Sequence, residues 1–456
     1  LAPHFVRGAL DVNAREVALA AVRDVFPSQE GVRERGAQEA LDYRLRRSAL
    51  DSRDRAFATE LAYGSIKMRR TLDWYLAPFI GERLKELPPA IVEILRLAVY
   101  EIVFTRADEH ATVFEFVNLA KKYGHRGVAN LVNAVLRSFL RNRPAEPAPS
   151  DFDGEDDYLG VRYSLPNWIV RSWRAAFPTL DLEALCAAVN DPVQAAASVN
   201  LAERTRESVA ESFAAEGVAS RPSALVADSL LVDDASYLRG HEANADGAWW
   251  IQSESAATPV AVLAPQPGET ILDLCSGRGN KTLQILARLG GDGTITCVDK
   301  DARKGAMLQE RVASAGGAVA FVAGDATQPI LSREQRFDRI LLDAPCSGIG
   351  LVARHPETRW KKTAGDAERL APLQRELLEA AGAHLYPGGT LVYAVCSTDP
   401  RETSDVVSAF VKANHFERGL IPAAFEPLLT LDGDVLIPPG LQGRDGFFVA
   451  RLDRGL

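Results

Sequence analysis

Between residues 12 and 143 the apolar positions recur at intervals of three and four, with Val17, Leu19, Ala20, Val22 and Val25 forming one early face, and this spacing predicts helices throughout. No strand signal interrupts the stretch. Its most apolar part, residues 91–104, is broken by Glu93, Arg96 and Glu101; it reads as an amphipathic core helix, short of the ~20 apolar residues a membrane helix needs. Residues 163–188 again have helical spacing, and short strands are expected at 195–200, around 223–232 and at 249–252. From residue 270 the rhythm changes. Apolar runs at 270–274, 294–298, 319–323, 339–342 and 390–395 alternate with helical stretches, a βαβ series that implies a parallel, doubly wound sheet. A last run, 446–452, follows a long irregular stretch and predicts an antiparallel strand at or near the sheet edge.

Residues 143–157 hold three prolines and six acidic side chains, a composition that cannot bury enough surface to order itself. The expected organisation is therefore multidomain: an all-α domain over 1–143, a linker over 144–160, a small α/β subdomain over 161–250 and an α/β Rossmann-like domain over 251–456. A length of 456 residues suits about three such cores. No internal repeat is visible.

Composition narrows the class. With 47% hydrophobic and 25% charged residues the chain is that of a soluble globular protein. It opens on Leu1 where a methionine would be expected, so the first residues are expected to be missing, and no apolar targeting segment is present. Five cysteines, an odd number without a CxxC pair, point to a reduced, cytoplasmic protein with no zinc cage and no other metal site. The net charge of −9 divides unevenly: residues 1–143 carry 23 Lys and Arg against 18 Asp and Glu, a net of +5, and the rest 29 against 43, a net of −14. A basic module that meets a polyanion has been joined to an acidic one that suits a cationic small molecule.

The first strand of the βαβ series runs into Cys275-Ser276-Gly277-Arg278-Gly279-Asn280-Lys281, and a helical pattern follows at once. Glycines at such a turn let backbone approach a ligand, although a lone GxG is weak evidence and a plain tight turn is the bland alternative. The strand ends add weight. Asp273, Asp299, Asp325 and Asp343 bring four carboxylates toward one rim, and Asp299, 26 residues after Asp273, is placed to accept from ribose hydroxyls. An acidic rim repels the pyrophosphate of a dinucleotide and attracts the sulfonium of S-adenosyl-L-methionine, which is the expected cofactor.

Two cysteines fifty residues apart, Cys346 in Asp-Ala-Pro-Cys-Ser and Cys396 in Tyr-Ala-Val-Cys-Ser, each follow an apolar run. Singly, each would be read as a small buried hydrophobe. Jointly, at the carboxyl ends of neighbouring strands, they open into the crevice where such sheets bind ligands.

These motifs resemble those of the RNA cytosine-5 methyltransferases, and the layout of most of the chain is similar to the RsmB/Sun/Fmu family of 16S rRNA (cytosine-5)-methyltransferases. The resemblance rests on Asp343 to Ser347 with Gly348, Gly350, Arg354, Pro356 and Trp360; on Val395-Cys396-Ser397; on Asp445-Gly446-Phe447-Phe448; and on residues 163–168 and 252–255. Residues 54–57, 94–98 and 132–137 resemble NusB, so the resemblance implies a NusB-like RNA-binding domain, with Lys121, Lys122, His125, Arg126, Arg137, Arg141 and Arg143 as phosphate contacts. Two positions depart from the family pattern: the glycine loop, commonly CAAPGGK, carries Arg278 and Asn280, and Ser198 stands where an arginine is usual.

What the resemblance implies chemically is methylation of carbon 5 of a cytosine in RNA, most directly 16S rRNA, with tRNA as the alternative. Carbon 5 is too poor a nucleophile by itself, and a thiolate adding to carbon 6 makes it an enamine. By resemblance Cys396 is that nucleophile and Cys346 the helper in proton removal or product release. Asp343 is expected as a protonated acid, its pKa raised by burial and neighbouring carboxylates, that bonds the ring nitrogen; Lys281 orients Asp343 or the cofactor. The base must be unstacked. A methyltransferase acting on an exocyclic nitrogen or on protein needs no thiol and would show an Asn/Asp-Pro-Pro-Tyr motif, which is absent. An RNA-binding assembly or antitermination factor with an inactive methyltransferase half is disfavoured by the presence of both cysteines, Asp299 and Asp343.

Overall fold

The computed structural model describes residues 13–28, 31, 33–242, 247–315 and 317–455. Val12, where the predicted helical stretch begins, lies outside them. The chain divides into two compact units, one of residues 1–171 with 355–361 and one of residues 172–354 with 362–456.

The first unit is helical. Helices Ala14–Val25, Ala37–Leu45, Ser52–Lys67, Arg69–Ile80, Pro89–Phe104, Glu109–Tyr123 and Arg126–Arg141 follow one another. Side chains start four of them: Asn13, Asp51, Asp108 and His125 accept from the backbone N–H groups of Glu16, Asp54, Ala111 and Gly127. Around Pro89–Phe104 the core closes, with Ile91, Ile94, Leu95, Leu97, Ala98 and Val99 fully buried. This helix departs from the amphipathic expectation because its charged positions are buried as well. Glu93 and Arg96 pair at 2.8 Å, Arg69 reaches Glu93 at 2.8 Å and Arg96 reaches Asp73 at 2.7 Å, while Arg15 donates to Glu101 at 2.9 Å. Ion pairing lets charge sit in the interior.

Two further features were not foreseen. The proline- and acid-rich stretch is ordered rather than unstructured: Pro149–Asp151 forms a 3-10 turn, Phe152 packs its ring against Trp74 and Tyr158, and a helix begins at Glu155. Local aromatic contacts supply the burial that composition lacks. The segment His355–Lys361, far along the chain, also belongs to the helical unit. There the Trp360 indole donates to the Ile66 carbonyl at 2.6 Å, Glu357 accepts from the Ala37 amide at 3.0 Å and Arg359 is fully buried.

The second unit holds two sheets. Strands β1 (Ala195–Val199), β2 (Ser220–Pro222), β3 (Ser229–Val232) and β4 (Trp249–Ile251) form an antiparallel sheet in the order β2-β3-β1-β4. Phe213 of the helix Arg206–Ala215 packs on it beside Trp249. Ser198 is buried in β1 opposite Ser229 and Trp250, so its departure from the family residue falls on packing.

The larger sheet comprises β5 (Thr270–Leu274), β6 (Thr294–Asp299), β7 (Ala320–Ala323), β8 (Phe337–Asp343), β9 (Leu385–Val395), β10 (Phe416–Arg418), β11 (Val435–Ile437) and β12 (Phe447–Arg454). Its order is β10-β12-β9-β8-β5-β6-β7, with β11 also pairing with β12. β5 to β9 are mutually parallel, and β12 runs antiparallel against β9 as the sequence pattern predicts. β10 and β11, three residues each, escaped the reading because runs so short carry no period. The central parallel strands β5, β8 and β9 bury their apolar runs on both faces, which is why they read as continuous, whereas the edge strand β7 is only half-buried. Among the described residues no helix is long and apolar enough to cross a membrane.

The Arg15–Glu101 pair offers a test of the helical core. Glu101 is fully buried and also accepts from the Thr112 hydroxyl, so Glu101→Ala leaves a guanidinium without its partner. The variant should lose about 3 kcal/mol of stability in denaturant melts, and a loss below about 1 kcal/mol would mean that solvent replaces the pair.

Candidate functional site

β5 delivers the chain into a loop that only a special backbone can make: Cys275, Gly277 and Gly279 have φ of 60°, 61° and 85°. A side chain on Gly279 would meet Leu308 at 3.0 Å, so glycine serves both the turn and the packing behind it. The Gly277 amide donates to Asp299 Oδ2 at 3.0 Å and ties the loop to the end of β6. The Asp301 amide and the Lys304 ammonium complete the carboxylate's surroundings at 2.9 and 3.2 Å.

A cavity of about 210 Å³ opens beside this loop. Cys275, Asp299, Asp325 and Asp343 line it, together with Lys300 and Lys304; Val298, Pro345, Leu373 and Leu377 supply apolar wall. The loop's other expected members do not line it. Asn280 donates to the Ile251 carbonyl at 3.2 Å and accepts from Arg311, and the Arg278 carbonyl accepts from Arg311 at 3.0 Å, so both are engaged outside the cavity. Ser276 is buried, its amide bonded to the Val298 carbonyl at 3.1 Å.

Asp299, Asp325 and Asp343 line this cavity but Asp273 does not, which corrects the expectation that all four strand-end carboxylates reach one rim. Asp273 is fully buried, takes a 2.6 Å hydrogen bond from Thr282, and its Oδ1 has no partner. Burial pushes its pKa from 3.8 to about 7, against the pull of Thr282 and Lys281. Asp325 is bonded by the Thr327 amide and hydroxyl, which hold it below the usual carboxylate range. Asp343 accepts from Lys281 Nζ at 2.6 Å, and the Lys281 ammonium lies 5.4 Å from the Phe447 ring. Burial works against the charge of Lys281, but the attraction of Asp343 and the hydrogen bond to it keep the pKa above the ordinary lysine value. Asp343 is thus bonded to Lys281, one of the two partners expected for that lysine.

Beyond Asp343, Cys346 and Cys396 stand with their sulfurs 3.3 Å apart. The hydrogen bond with Cys396, then burial, push the Cys346 thiol well above the usual cysteine range. Cys275, at the cavity wall, is pushed up to about 12 by burial and by Asp343 and Asp299. The remaining cysteines, Cys186 and Cys297, are buried away from the pair.

Sequence reasoning missed the two cavity lysines, Lys300 directly after the β6 carboxylate and Lys304 five residues after it, and the apolar wall from the helix Ala364–Ala383. It also missed a buried carboxylate behind the cysteines, Glu402, six residues after Cys396 in a stretch with no periodic signal.

In the helical unit, a groove of about 430 Å³ is lined by Phe114, Lys121, Asn133, Arg137 and Arg141 among others. Phe114 is 64% exposed. The other basic candidates fall elsewhere: Lys122 pairs with Glu16, Arg126 is exposed at the start of its helix, His125 caps that helix and Arg143 pairs with Glu109 at 3.0 Å.

The chain has clear relatives. Residues 260–453 match the 16S rRNA methyltransferase RsmB/F model, residues 12–141 the NusB family and residues 165–238 the ferredoxin-like domain of RsmF/B-like methyltransferases. It is 31% identical to the probable ribosomal RNA small subunit methyltransferase B of Bacillus subtilis, over 90% of this chain and 92% of that one. The Synechocystis protein of the same description is 31% identical over 97% of this chain and all of its own length. Among solved structures, NSun6 from Pyrococcus horikoshii with SFG covers 63% of this chain and 98% of its own at a TM-score of 0.56 and 19% identity, a likeness of fold.

The Asp273 environment carries a pH prediction. Between about pH 4 and pH 7 the folded protein holds a proton that the unfolded chain, at 3.8, has released, so stability falls as pH rises through that window. Asp273→Asn keeps an acceptor for Thr282 and should flatten this fall in urea melts across the same range. Parallel curves for the two proteins would show that Asp273 titrates as an ordinary carboxylate.

Proposed function

The chain belongs to the RsmB/F family of small-subunit rRNA methyltransferases, which use S-adenosyl-L-methionine, and within that family we propose that it methylates carbon 5 of a cytosine in 16S rRNA through a covalent adduct with Cys396. The observation that carries this reading is the 3.3 Å approach of the two sulfurs beside the cavity wall at Asp343 and Pro345.

The residues present fit the cofactor. Asp299, nearly buried and held by two amides and a lysine, keeps carboxylate oxygens for ribose hydroxyls; the apolar wall of Leu373, Leu377, Val298 and Pro345 suits a planar base; and the carboxylates favour a cation. When bound, S-adenosyl-L-methionine supplies an electrophilic methyl group.

This chain's own residues then divide the work. The two sulfurs lie at hydrogen-bond distance, 3.3 Å, and by the family resemblance Cys396 is the one that attacks while Cys346 assists. Cys396 adds to carbon 6 of an unstacked cytosine. The charge that develops on the ring is met by Asp343, with the proton drawn from the Lys281 ammonium bonded to it. A base then takes the carbon-5 proton, the electron pair re-forms the 5,6 double bond and the Cys396 sulfur leaves as thiolate, with Cys346 beside it as the helper in proton removal or release. RNA is brought to the protein through the groove of Lys121, Arg137 and Arg141, with the exposed Phe114 ring available to stack on a base.

Two experiments test this reading. Cys396→Ala should abolish methyl transfer and any covalent complex, whereas Cys346→Ala should trap RNA in a complex that survives denaturant and reductant and vanishes in the double variant. A complex seen only in Cys396→Ala would reverse the roles, and full activity in both variants would refute covalent catalysis. For the groove, Arg137→Ala combined with Arg141→Ala should weaken RNA binding and reduce the salt slope of its affinity by about 1.5, with cofactor affinity unchanged. An unaltered slope would place the RNA elsewhere.

A further inference from the structure

Behind the two thiols lies a carboxylate that the chemistry above does not use. Glu402 is fully buried, and Arg401, next to it in the chain, turns instead to Asp399 and Glu368. Its four donors are all neutral. The Ser347 amide donates to Oε1 at 2.8 Å and the Gln374 amide to the same oxygen at 3.1 Å; the Ser397 hydroxyl donates to Oε2 at 2.6 Å, and the Ser347 hydroxyl bonds there too. Ser347 follows Cys346 and Ser397 follows Cys396, so one carboxylate grips both cysteine-bearing loops one residue beyond each sulfur.

A carboxylate with no cation at hydrogen-bond distance among the described residues is a costly way to fill buried space. It is, however, a side chain that accepts from several donors at once while donating to none. The Glu402 backbone is itself fixed, since the Tyr393 hydroxyl of β9 donates to its carbonyl at 2.7 Å. Gln374 extends the grip by donating to the Pro345 carbonyl at 2.9 Å, and the Gly350 amide donates to the Cys396 carbonyl at 3.1 Å.

We infer that Glu402 is a positioning residue that clips the Cys346 and Cys396 loops together and so sets the separation of the two sulfurs. The inference rests on the covalent reading for its catalytic consequence, but not for the geometry.

Thiol proximity can be read without catalysis. Treated with the oxidant diamide under native conditions, the wild-type protein should form the Cys346–Cys396 disulfide rapidly, as followed by peptide mass. In Glu402→Ala the rate should fall about tenfold or more, and kcat should fall by a similar factor with the KM for RNA and the affinity for S-adenosyl-L-methionine unchanged; Glu402→Gln, which keeps one acceptor and the shape, should recover to within about threefold of wild type. The Ser347→Ala, Ser397→Ala double variant leaves the glutamate in place and should slow oxidation in the same direction, which keeps the test alive if Glu402→Ala does not fold. Wild-type oxidation rates in folded Glu402→Ala or in the serine double variant would overturn the inference. If Cys396→Ala retained methyl transfer, the covalent reading would fall, and the oxidation rates of the Glu402 variants would still decide whether the clip exists.

Discussion

The site depends on the register of β8 against β9. Asp343 lies opposite Ala394 in this parallel pair, and the Ala344 amide donates to the Ala394 carbonyl at 2.9 Å. The two chains therefore leave the sheet at the same edge, and a few residues later each presents a thiol. The long crossover between them, which contains the helix Ala364–Ala383, converts a separation of fifty residues into a contact of 3.3 Å. A slip of one residue would turn every side chain of β9 to the opposite face and carry Cys396 away from its partner. What prevents it is close packing on both faces: Ile340, Leu342, Leu391, Val392, Tyr393 and Val395 are all fully buried, and a slip would put each into space shaped for its neighbour.

At the same edge, one residue type is put to several uses by its surroundings alone. Asp273 is fully buried with a single donor, Thr282, and burial raises its pKa to about 7. Asp299 is nearly as buried but meets two amides and a lysine. Asp343 stands at the cavity wall with an ammonium at hydrogen-bond distance. Desolvation, backbone donors and a neighbouring cation are separate influences on a carboxylate, and here they are distributed over neighbouring strand ends.

That distribution explains what the sequence disclosed and what it withheld. The central parallel strands were legible because strands buried on both faces leave uninterrupted apolar runs. The cysteines were legible because each follows such a run, and Asp299 because the strand end and the loop before it fix its place. The separation of Asp273 from the other carboxylates was not legible, since a one-position difference in where a strand ends decides whether a side chain faces the crevice or the helix behind it. The Lys281–Asp343 pair, one of the two roles expected for Lys281, joins residues 62 apart and depends on the β5–β8 pairing. The order in residues 149–162 was hidden because Phe152 finds Trp74, a partner that composition cannot reveal. Arg278 and Asn280 looked like cofactor contacts from their place in the loop, yet both are engaged with Arg311.

The five residues from Asp343 to Ser347 show why so short a motif carries so much information. Asp343 lines the cavity and holds Lys281; Ala344 makes the last ladder bond to β9; Pro345 forms cavity wall while its carbonyl accepts from Gln374; Cys346 presents the thiol; and Ser347 gives both amide and hydroxyl to Glu402. Each position meets a different neighbour, and no two can exchange places. The proline suits the third position because its carbonyl is used there while no ladder amide is needed, and a fixed φ turns the chain out of the strand at that point. The cavity and the thiol pair are therefore coupled through one stretch of backbone: whatever fixes Asp343 against Lys281 also limits where Cys346 can stand, three residues on.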